Sequence, residues 1–398
     1  MNYRPEPAHR HDQRERTAVL LVNLGTPSAP TPAALRRYLA EFLGDPRVVE
    51  IPRVLWLPLL HGVILRTRPR RSAAKYASIW MREGSPLAVW TARQSEGLAV
   101  ALATRGHDVQ VRHAMRYGEP SIPAALDALR AEGATRILVL PLYPQYAAAT
   151  TASAVDKVGQ WATAARRLPE LRFVGQYHDD PGYIGALAAT LEGHWQAHGR
   201  GERLLLSFHG LPARSLALGD PYHCQCLATA RLLRERLGLA PQLMQVAFQS
   251  RFGKARWLQP YTAQVLRTLA AEGVQSIDVM CPGFASDCLE TLEEIAQEGR
   301  ATFVAAGGRE LRYVPCLNAA PSWLQALADI AERHLQGWDT RGAGDAAALR
   351  ARFISSQALS SFSAPRWPAC AVRTRSPHPR RPAPAAAART AASAGCAA

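Results

Sequence analysis

The sequence predicts an α/β fold in which parallel strands alternate with helices. Three observations carry the prediction: short apolar runs recur along residues 17–338, longer helical stretches separate them, and two parts of the chain resemble each other. Uninterrupted apolar runs are typical of parallel strands covered by helices on both faces. The strand candidates, in chain order, are TAVLLVNL, VQVRHAM, TRILVLPL, LRFVGQ, RLLLSF, LMQVAF, SIDVMC and LRYVP.

Helical stretches lie between these runs. Many begin with Ser, Thr or Asp, whose side-chain oxygen can accept a hydrogen bond from the free N–H groups of the first turn. The clearest are TPAALRRYLAEFL, SIPAALDALRAEG, DPGYIGALAATLEGHWQAHG and SDCLETLEEIAQEG. Their regular alternation with the apolar runs favours parallel sheets over an antiparallel architecture.

The two halves of the chain show an internal duplication. LLVNLGTP at 20–27 aligns with LLLSFHGLP at 204–212, and ILVLPLYPQYAAATTAS resembles IDVMCPGFASDCLETL. The first half is longer by 44 residues between these landmarks, which predicts an insertion at about 44–95. The insertion contains VLWLPLLHGVIL and then the basic run RTRPRRSAAK. We expect a helical lip over a large flat ligand, with peripheral membrane contact through residues 54–71. An ordinary helical hairpin packed on the core is the alternative.

Composition and charge exclude several classes. The 398 residues carry a net charge of +15, but only one dense basic cluster, at 66–75, lies in the 17–338 region, and no nucleic-acid motif accompanies it. We therefore expect no nucleic-acid partner. No apolar run reaches the length of a membrane span, and seven cysteines, an odd number, favour free thiols. These features predict a cytoplasmic protein.

Both ends of the chain have the composition of unstructured segments. Residues 1–16 predict a flexible N-terminal arm, and residues 339–398, rich in Ala, Arg, Pro and Ser, predict a disordered tail. GAGDAA at 342–347 imitates a dinucleotide-binding fingerprint, but no strand precedes it, so the phosphate-binding geometry is not expected.

Histidine and carboxylate residues mark a candidate site in the second half. His209 ends a strand, and ligands of α/β sheets bind beyond such ends. Asp287 and Glu290 begin a helix on which Glu290, Glu294 and Glu298 recur every four residues and share one face. Such a stripe can bind or conduct a cation. The alternatives are a structural histidine and a solvated acidic face.

Taken together, the motifs resemble those of the ferrochelatase family over residues 17–338 in unbroken order. The residues that carry the resemblance are NLGTP, TPAALRRYLAEFLGDPRVVEIPR, GSPL, PLYPQYAAATT, SFHGLP, GDPYHCQC, FQSRFGKARWLQPYT and CPGFASDCLETLEEI. The resemblance implies insertion of ferrous iron into protoporphyrin IX without redox change. It also implies two similar Rossmann-like domains with the porphyrin in the cleft between them. We place these domains at 17–175, with the lip insertion, and at 176–338, with the metal site.

The resemblance implies roles for individual residues. His209 and Glu290 are expected to be the catalytic and metal-binding pair, with the order of metal binding and proton acceptance left open. Asp287, Glu294 and Glu298 are expected to form a metal path. The residues expected to bind the porphyrin are Trp257, Arg116, Tyr117 and Tyr76, and further candidates for the propionates are Arg68, Arg70, Arg71 and Lys75.

Some features depart from the family pattern. Relatives that carry an iron–sulfur cluster use a cysteine after YPQY and three close cysteines near the C-terminus, whereas this chain has Ala148, Cys370 and Cys396. We expect no cluster of that type and no cofactor beyond the substrate iron. Cys224 and Cys226 are expected to be free thiols, and Cys288 stands where some relatives have histidine. The protein is expected to be a monomer or homodimer. The rival functions are a chelatase for another tetrapyrrole or metal, and a non-catalytic tetrapyrrole carrier.

Overall fold

A computed structural model describes residues 3–4, 6–7, 15–253 and 255–341, so most of the predicted tail, including 342–347, lies outside the described residues. All eight predicted strands are present within one to three residues of the expected bounds. They are β1 (Arg16–Gly25), β2 (Val109–Tyr117), β3 (Ala134–Pro141), β4 (Glu170–Phe173), β5 (Arg203–His209), β6 (Met244–Gln249), β7 (Ser276–Met280) and β8 (Glu310–Tyr313).

The strands form two parallel sheets of the same topology. The first has the order β2-β1-β3-β4 and the second has the order β6-β5-β7-β8. Every pairing within the named strands is parallel. The central strands are buried on both faces, which is why their sequences are continuous apolar runs rather than alternating ones. The predicted α/β class is confirmed.

Helices surround both sheets. They are α1 (Pro32–Leu43), α2 (Arg53–Leu59), α3 (Leu65–Ile79), α4 (Pro86–Thr104), α5 (Ile122–Ala131), α6 (Ser153–Thr163), α7 (Pro181–His198), α8 (Ala213–Ala217), α9 (Tyr222–Arg236), α10 (Thr262–Ala271), α11 (Leu289–Leu292), α12 (Arg300–Ala305) and α13 (Pro321–Leu335). Three π-helical segments, Leu60–Ile64, Ala148–Ala152 and Glu294–Gly299, and a short 3-10 turn, Pro241–Leu243, complete the described elements.

The order of the elements repeats between the two halves. A π-helical segment follows the third strand of each sheet, leading into α6 in the first half and α12 in the second. The turn after β1 corresponds to the turn after β5, as the aligned LGTP and HGLP segments predicted. The predicted insertion is helical and contains α2, α3 and the start of α4.

The last helix of the second half crosses to the first. α13 packs against α4 and β3, while α7 packs against α9 of the second half. The largest hydrophobic core of the described residues accordingly contains Leu140 of the first sheet, Leu206 of the second sheet and Trp323 of α13. The sequence did not predict that α13 crosses to the first half, and the boundaries 17–175 and 176–338 stay a prediction.

The described parts of the two predicted flexible ends are anchored. Arg4 donates its backbone N–H to the carbonyl of Ala164 at 2.8 Å and pairs with Asp127. At the other end the carbonyl of Asp339 accepts a hydrogen bond from the hydroxyl of Thr17 at 2.8 Å, and Thr340 is buried. These nonlocal partners offset part of the entropy of ordering the described end residues, and the flexible arm and disordered tail stay predictions.

The lip, residues 44–95, has two apolar faces. Its inner face forms a small core with α1, through Trp56, Leu60 and Tyr76. Its outer face exposes large side chains at Ile51, Val54, Leu55, Leu59 and Val63, and Val54 is 81% exposed. The lip is thus a hairpin packed on the core that also presents an apolar surface. No helix of the described residues has the length and apolarity that a membrane crossing requires.

Candidate functional site

His209 ends β5 and is partly buried. Its Nδ1 lies 2.7 Å from the carbonyl oxygen of Gly210. Because a carbonyl oxygen can only accept, Nδ1 must carry the proton in this arrangement. The other ring nitrogen, Nε2, then has a free lone pair in the neutral imidazole. This orientation allows Nε2 to bind a metal ion or accept a proton.

The turn after His209 requires glycine and brings an indole to the site. A Cβ atom at Gly210 would lie 2.6 Å from the carbonyl oxygen of Gln249 and 3.2 Å from Cε3 of Trp257. Trp257 also forms a β-bridge with Pro212. The ring of Phe284, from the loop after β7, lies 6.4 Å from the His209 ring. Aromatic side chains therefore flank His209, as binding of a flat macrocycle requires.

Glu290 lies in the first turn of α11, at the junction of the two halves. The neighbouring Leu289 packs into the core formed by α1 and the lip. Burial is the main cause that raises the pKa of Tyr76 well above its usual value, and the negative charge of Glu290 is the second cause. The pKa of Tyr38 is also raised well above its usual value, mainly by burial and then by its electrostatic interactions with Tyr76 and Glu290. Both phenols therefore stay protonated, and the hydroxyl of Tyr38 donates a hydrogen bond to the carbonyl of Gly25 at 3.2 Å.

The elements that carry His209 and Glu290 are joined through Gln249. His209 pairs with Gln249 in the parallel register of β5 and β6. The side chain of Gln249 donates a hydrogen bond from Nε2 to the backbone carbonyl of Glu290 at 2.7 Å. The predicted pair therefore lies on adjacent elements at the carboxyl edge of the second sheet. Sequence reasoning missed Gln249, although its place at the end of a strand was the available signal.

The predicted acidic path has a different local structure from the regular helix expected. The chain is α-helical only over Leu289–Leu292 and π-helical over Glu294–Gly299. Glu294 accepts hydrogen bonds from both the backbone N–H, at 2.7 Å, and the hydroxyl of Ser250. π-Helical turns are rare and are frequently found at functional sites.

Glu298 pairs with the lip. Nζ of Lys75 lies 2.7 Å from Glu298 and 2.8 Å from Glu293, which the sequence had not singled out. Burial opposes the charged form of Lys75, but the two carboxylates outweigh it and raise its pKa. Burial raises the pKa of Glu293. Lys75 thus joins α3 to the π-helical segment, which is a different role from the propionate binding expected of it.

Asp287 is part of the internal scaffold. It is buried and accepts hydrogen bonds from Nδ2 of Asn318, at 2.7 Å, and from the hydroxyl of Tyr313. The hydroxyl of Thr291 and the backbone N–H of Cys316 also lie at 3.3 Å. These donors occupy the carboxylate, so the geometry does not support its predicted place on a metal path.

Arg116 and Tyr117 form an internal hydrogen-bond network with Asp45 and Ser153. Both donate to Asp45, and Tyr117 does so at 2.8 Å. Arg116 also donates from Nε to the hydroxyl of Ser153 at 2.7 Å. Tyr117 has no exposed surface, and Arg116 is buried. The geometry therefore does not support the predicted contact of Tyr117 and Arg116 with the porphyrin. The cause is a nonlocal carboxylate, which the sequence pattern did not reveal.

Arg68 differs from the other basic residues of the lip. Arg70 and Arg71 are exposed, whereas Arg68 is partly buried with its guanidinium 4.4 Å above the ring of Phe252. Burial lowers the pKa of Arg68. Within the described parts of the chain it has no carboxylate partner. A desolvated cation without a counter-ion favours an anionic ligand.

The described cysteines, Cys224, Cys226, Cys281, Cys288 and Cys316, are free thiols, and only Cys224 is exposed. Cys224 and Cys226 lie on α9. Cys288 caps α11 and is next to Glu290; burial, followed by that charge, raises the pKa of its thiol well above the usual value. Over residues 15–253 and 255–341, no three His, Cys, Asp or Glu side chains are grouped so that they could hold a metal ion.

Comparisons with known proteins agree with the motifs. Residues 16–335 match the family described as Ferrochelatase. A protein named Ferrochelatase from Methylibium petroleiphilum is 64% identical over 359 residues, which cover 90% of this chain and 99% of that protein. Another, from Dechloromonas aromatica, is 60% identical, with 87% and 95% covered. The structure of SirB from Bacillus subtilis with Fe3+ has a TM-score of 0.49 at 15% identity, covering 81% of this chain and 96% of that one.

Proposed function

Because the chain belongs to the ferrochelatase family and inserts ferrous iron into protoporphyrin IX as a lyase of haem synthesis, we propose that His209 and Glu290 form its metallation site. The rival reading of a non-catalytic tetrapyrrole carrier is excluded, since this is a family of enzymes. Metallation is slow in water because the stiff ring must lose two N–H protons and iron must shed its water. A site that orients a base and a metal ligand on the ring lowers both barriers.

The free Nε2 of His209 is the observation that carries this proposal. The bond from Nδ1 to the carbonyl of Gly210 fixes the imidazole tautomer and aims a lone pair away from the backbone. Glu290 supplies an anionic oxygen from an adjacent element. Between them the two side chains bind the incoming Fe(II) and accept the pyrrole protons.

Trp257 and the lip enclose the macrocycle in this proposal. Trp257 is beside the turn that holds His209, and Tyr76 is on the inner face of the lip near Glu290. A metal path through Glu294 and Glu298 reaches the surface, because Glu298 is exposed. Anaerobic mixing of purified protein with ferrous iron and protoporphyrin IX, followed by absorbance, tests the proposal when His209→Ala and Glu290→Gln are compared with the wild-type protein. Loss of turnover in the variants is the expected result, and wild-type rates in both would overturn the proposal.

Arg68 is the proposed anchor of a porphyrin propionate. Replacing it by methionine keeps the packing of the side chain but removes the charge, so the KM for protoporphyrin IX is expected to rise about tenfold, as for loss of one charge-assisted bond. The kcat should stay within about twofold, because the contact is remote from the reacting atoms. Steady-state kinetics with each substrate varied in turn measure both constants.

Arg66→Met is the matched control for Arg68→Met. Arg66 is on the same helix and is exposed, and its loss should leave the KM for the porphyrin unchanged. An equal KM for the wild-type protein and Arg68→Met would remove Arg68 from the porphyrin site.

The outer face of the lip is the proposed membrane contact, through residues 54–71. Val54 and Leu55 are 81% and 67% exposed, and basic residues follow them in α3. Burying one such side chain contributes about 1.5–3 kcal/mol, and cations add attraction to anionic lipid. Val54→Asp with Leu55→Asp is expected to reduce binding to vesicles containing anionic phospholipid at least tenfold, measured by cosedimentation.

A double variant outside the lip controls for added charge. Val100 and Val304 are also exposed and apolar, and Val100→Asp with Val304→Asp should bind vesicles nearly as well as the wild-type protein. Equal loss of binding in both double variants would show that the lip is not the contact.

The remaining proposals concern cofactors and cellular setting. We propose that the protein needs no cofactor beyond substrate iron and carries no iron–sulfur cluster. Ala148 supports this, since it stands where cluster-binding relatives have a cysteine. The free state of the described thiols supports a cytoplasmic, reducing setting. The oligomeric state stays a prediction, as monomer or homodimer.

A further inference from the structure

Gln249 is held at both its backbone and its side chain. It ends β6 and is only 3% exposed. Its carbonyl oxygen accepts a hydrogen bond from the backbone N–H of Gly210 at 2.8 Å. The same oxygen lies so near Gly210 that no other residue fits there. The backbone of Gln249 therefore holds the turn to which the His209 imidazole is bonded.

The side chain of Gln249 has a fixed orientation. Its Oε1 accepts a hydrogen bond from the hydroxyl of Ser207 at 2.6 Å. Because the Ser207 proton is used there, Thr262, at 2.8 Å, must donate to Ser207 in turn. This chain of donors leaves Nε2 facing the other way, where it donates to the carbonyl of Glu290 at 2.7 Å.

Nε2 of Gln249 also lies 3.4 Å from the Glu294 carboxylate. The next residue, Ser250, donates to that carboxylate from its backbone and its hydroxyl. Ser250 has a φ of +62°, a left-handed conformation that is uncommon outside glycine. The end of β6 is therefore shaped to bind the segment that begins with Glu290.

From these contacts we infer that Gln249 is a positioning residue that sets the placement of Glu290 relative to His209. The inference rests on the proposed roles of those two side chains. Gln249 is bonded to the backbone of Gly210 and of Glu290, so it acts on the two groups through the chain that carries them. Metallation requires a base and a metal ligand at one ring, and a displacement of about 1 Å at such a site can cost about 10²-fold in rate. The hydrogen bonds of Gln249 prevent such a displacement between the end of β5, which carries His209, and α11, which carries Glu290.

Gln249→Met tests the inference, because methionine has similar length but makes neither hydrogen bond. We expect kcat to fall about 10- to 100-fold and the KM for Fe(II) to rise. The affinity for protoporphyrin IX, measured by fluorescence quenching without metal, should stay within about twofold, since Trp257 and the lip are not altered. This separation of catalysis from porphyrin binding is not expected from a general loss of stability.

Gln225→Met is the matched control. Gln225 is also buried with both amide atoms bonded, since its Oε1 accepts from the backbone N–H of Tyr146 at 2.7 Å and its Nε2 donates to Gln176. It should lower the melting temperature by a similar amount while kcat stays within about twofold. If both methionine variants have the same kcat, Gln249 has no positioning role and the inference is overturned.

A second variant covers the case in which Gln249→Met does not fold. Ser207→Ala leaves Gln249 in place but removes the hydroxyl that orients its amide, so a smaller loss of kcat, about fivefold, is expected with porphyrin affinity unchanged. Wild-type kcat in a folded Ser207→Ala protein would count against the inference. His209→Ala separates the two levels of argument: if that variant is fully active, the proposed function fails, whereas an inactive His209→Ala beside a fully active Gln249→Met rejects only the positioning role.

Discussion

His209→Ala is expected to lower kcat for iron insertion into protoporphyrin IX by about 10³-fold. The variant removes the only imidazole nitrogen that the structure presents from the end of β5, and loss of a general base or a metal ligand costs about 10²- to 10⁴-fold. The affinity for protoporphyrin should change by less than about twofold, because the aromatic contacts of the site remain. Anaerobic steady-state kinetics and metal-free fluorescence quenching measure the two effects separately.

His334→Ala provides a control for removal of a partly buried histidine. His334 is on α13, and burial lowers its pKa. Its loss should leave kcat within about twofold. Added imidazole should restore part of the activity of His209→Ala but not raise that of the control, since only the first variant leaves a vacant position for it. Wild-type turnover in His209→Ala would remove the imidazole from the mechanism.

Glu290→Gln is expected to have the second-largest effect, a fall in kcat of about 10²- to 10³-fold. The amide has the shape of the carboxylate, but it neither accepts a pyrrole proton nor offers an anionic oxygen to Fe(II). The KM for Fe(II) should rise, while the KM for protoporphyrin stays nearly constant. Initial rates with each substrate varied in turn give the two KM values.

Glu310→Gln, on β8, is the control for removal of a partly exposed carboxylate, and it should behave as the wild-type protein. Because His209 and Glu290 act in one step, the double variant His209→Ala with Glu290→Gln should be little slower than the slower single variant. Additive losses in the double variant, or unchanged rates in Glu290→Gln, would contradict joint action at one site.

Some features of the site could be predicted from the chain because they depend on short stretches. His209 ends an apolar run and precedes Gly210, so its position at the carboxyl edge of a parallel sheet follows from local pattern. Glu290 follows a strand and begins a helix for the same reason. The duplication located the second sheet's site even though the first half carries Leu24 where the second carries His209.

Other features depend on residues far apart in sequence. Arg116 was expected to bind the porphyrin, yet it is paired with Asp45 inside the first half. Lys75 looked like a propionate ligand, yet it pairs with Glu293 and Glu298 more than two hundred residues away. In each case the partner lies far away in the sequence. The helical or strand pattern around Arg116 or Lys75 therefore could not predict which carboxylate it pairs with.

The sequence alone determined the eight strands, their parallel arrangement, the repeat of the two halves and the strand end that carries His209. These follow from side-chain periodicity and glycine placement, which act over a few residues. The tertiary structure decided which charged groups are paired internally, how α13 crosses to the first sheet, where the acidic helix becomes π-helical and how Gln249 joins His209 to Glu290. Those outcomes depend on hydrogen bonds and burial between distant segments, and a buried polar group takes whatever partner the completed fold brings within reach.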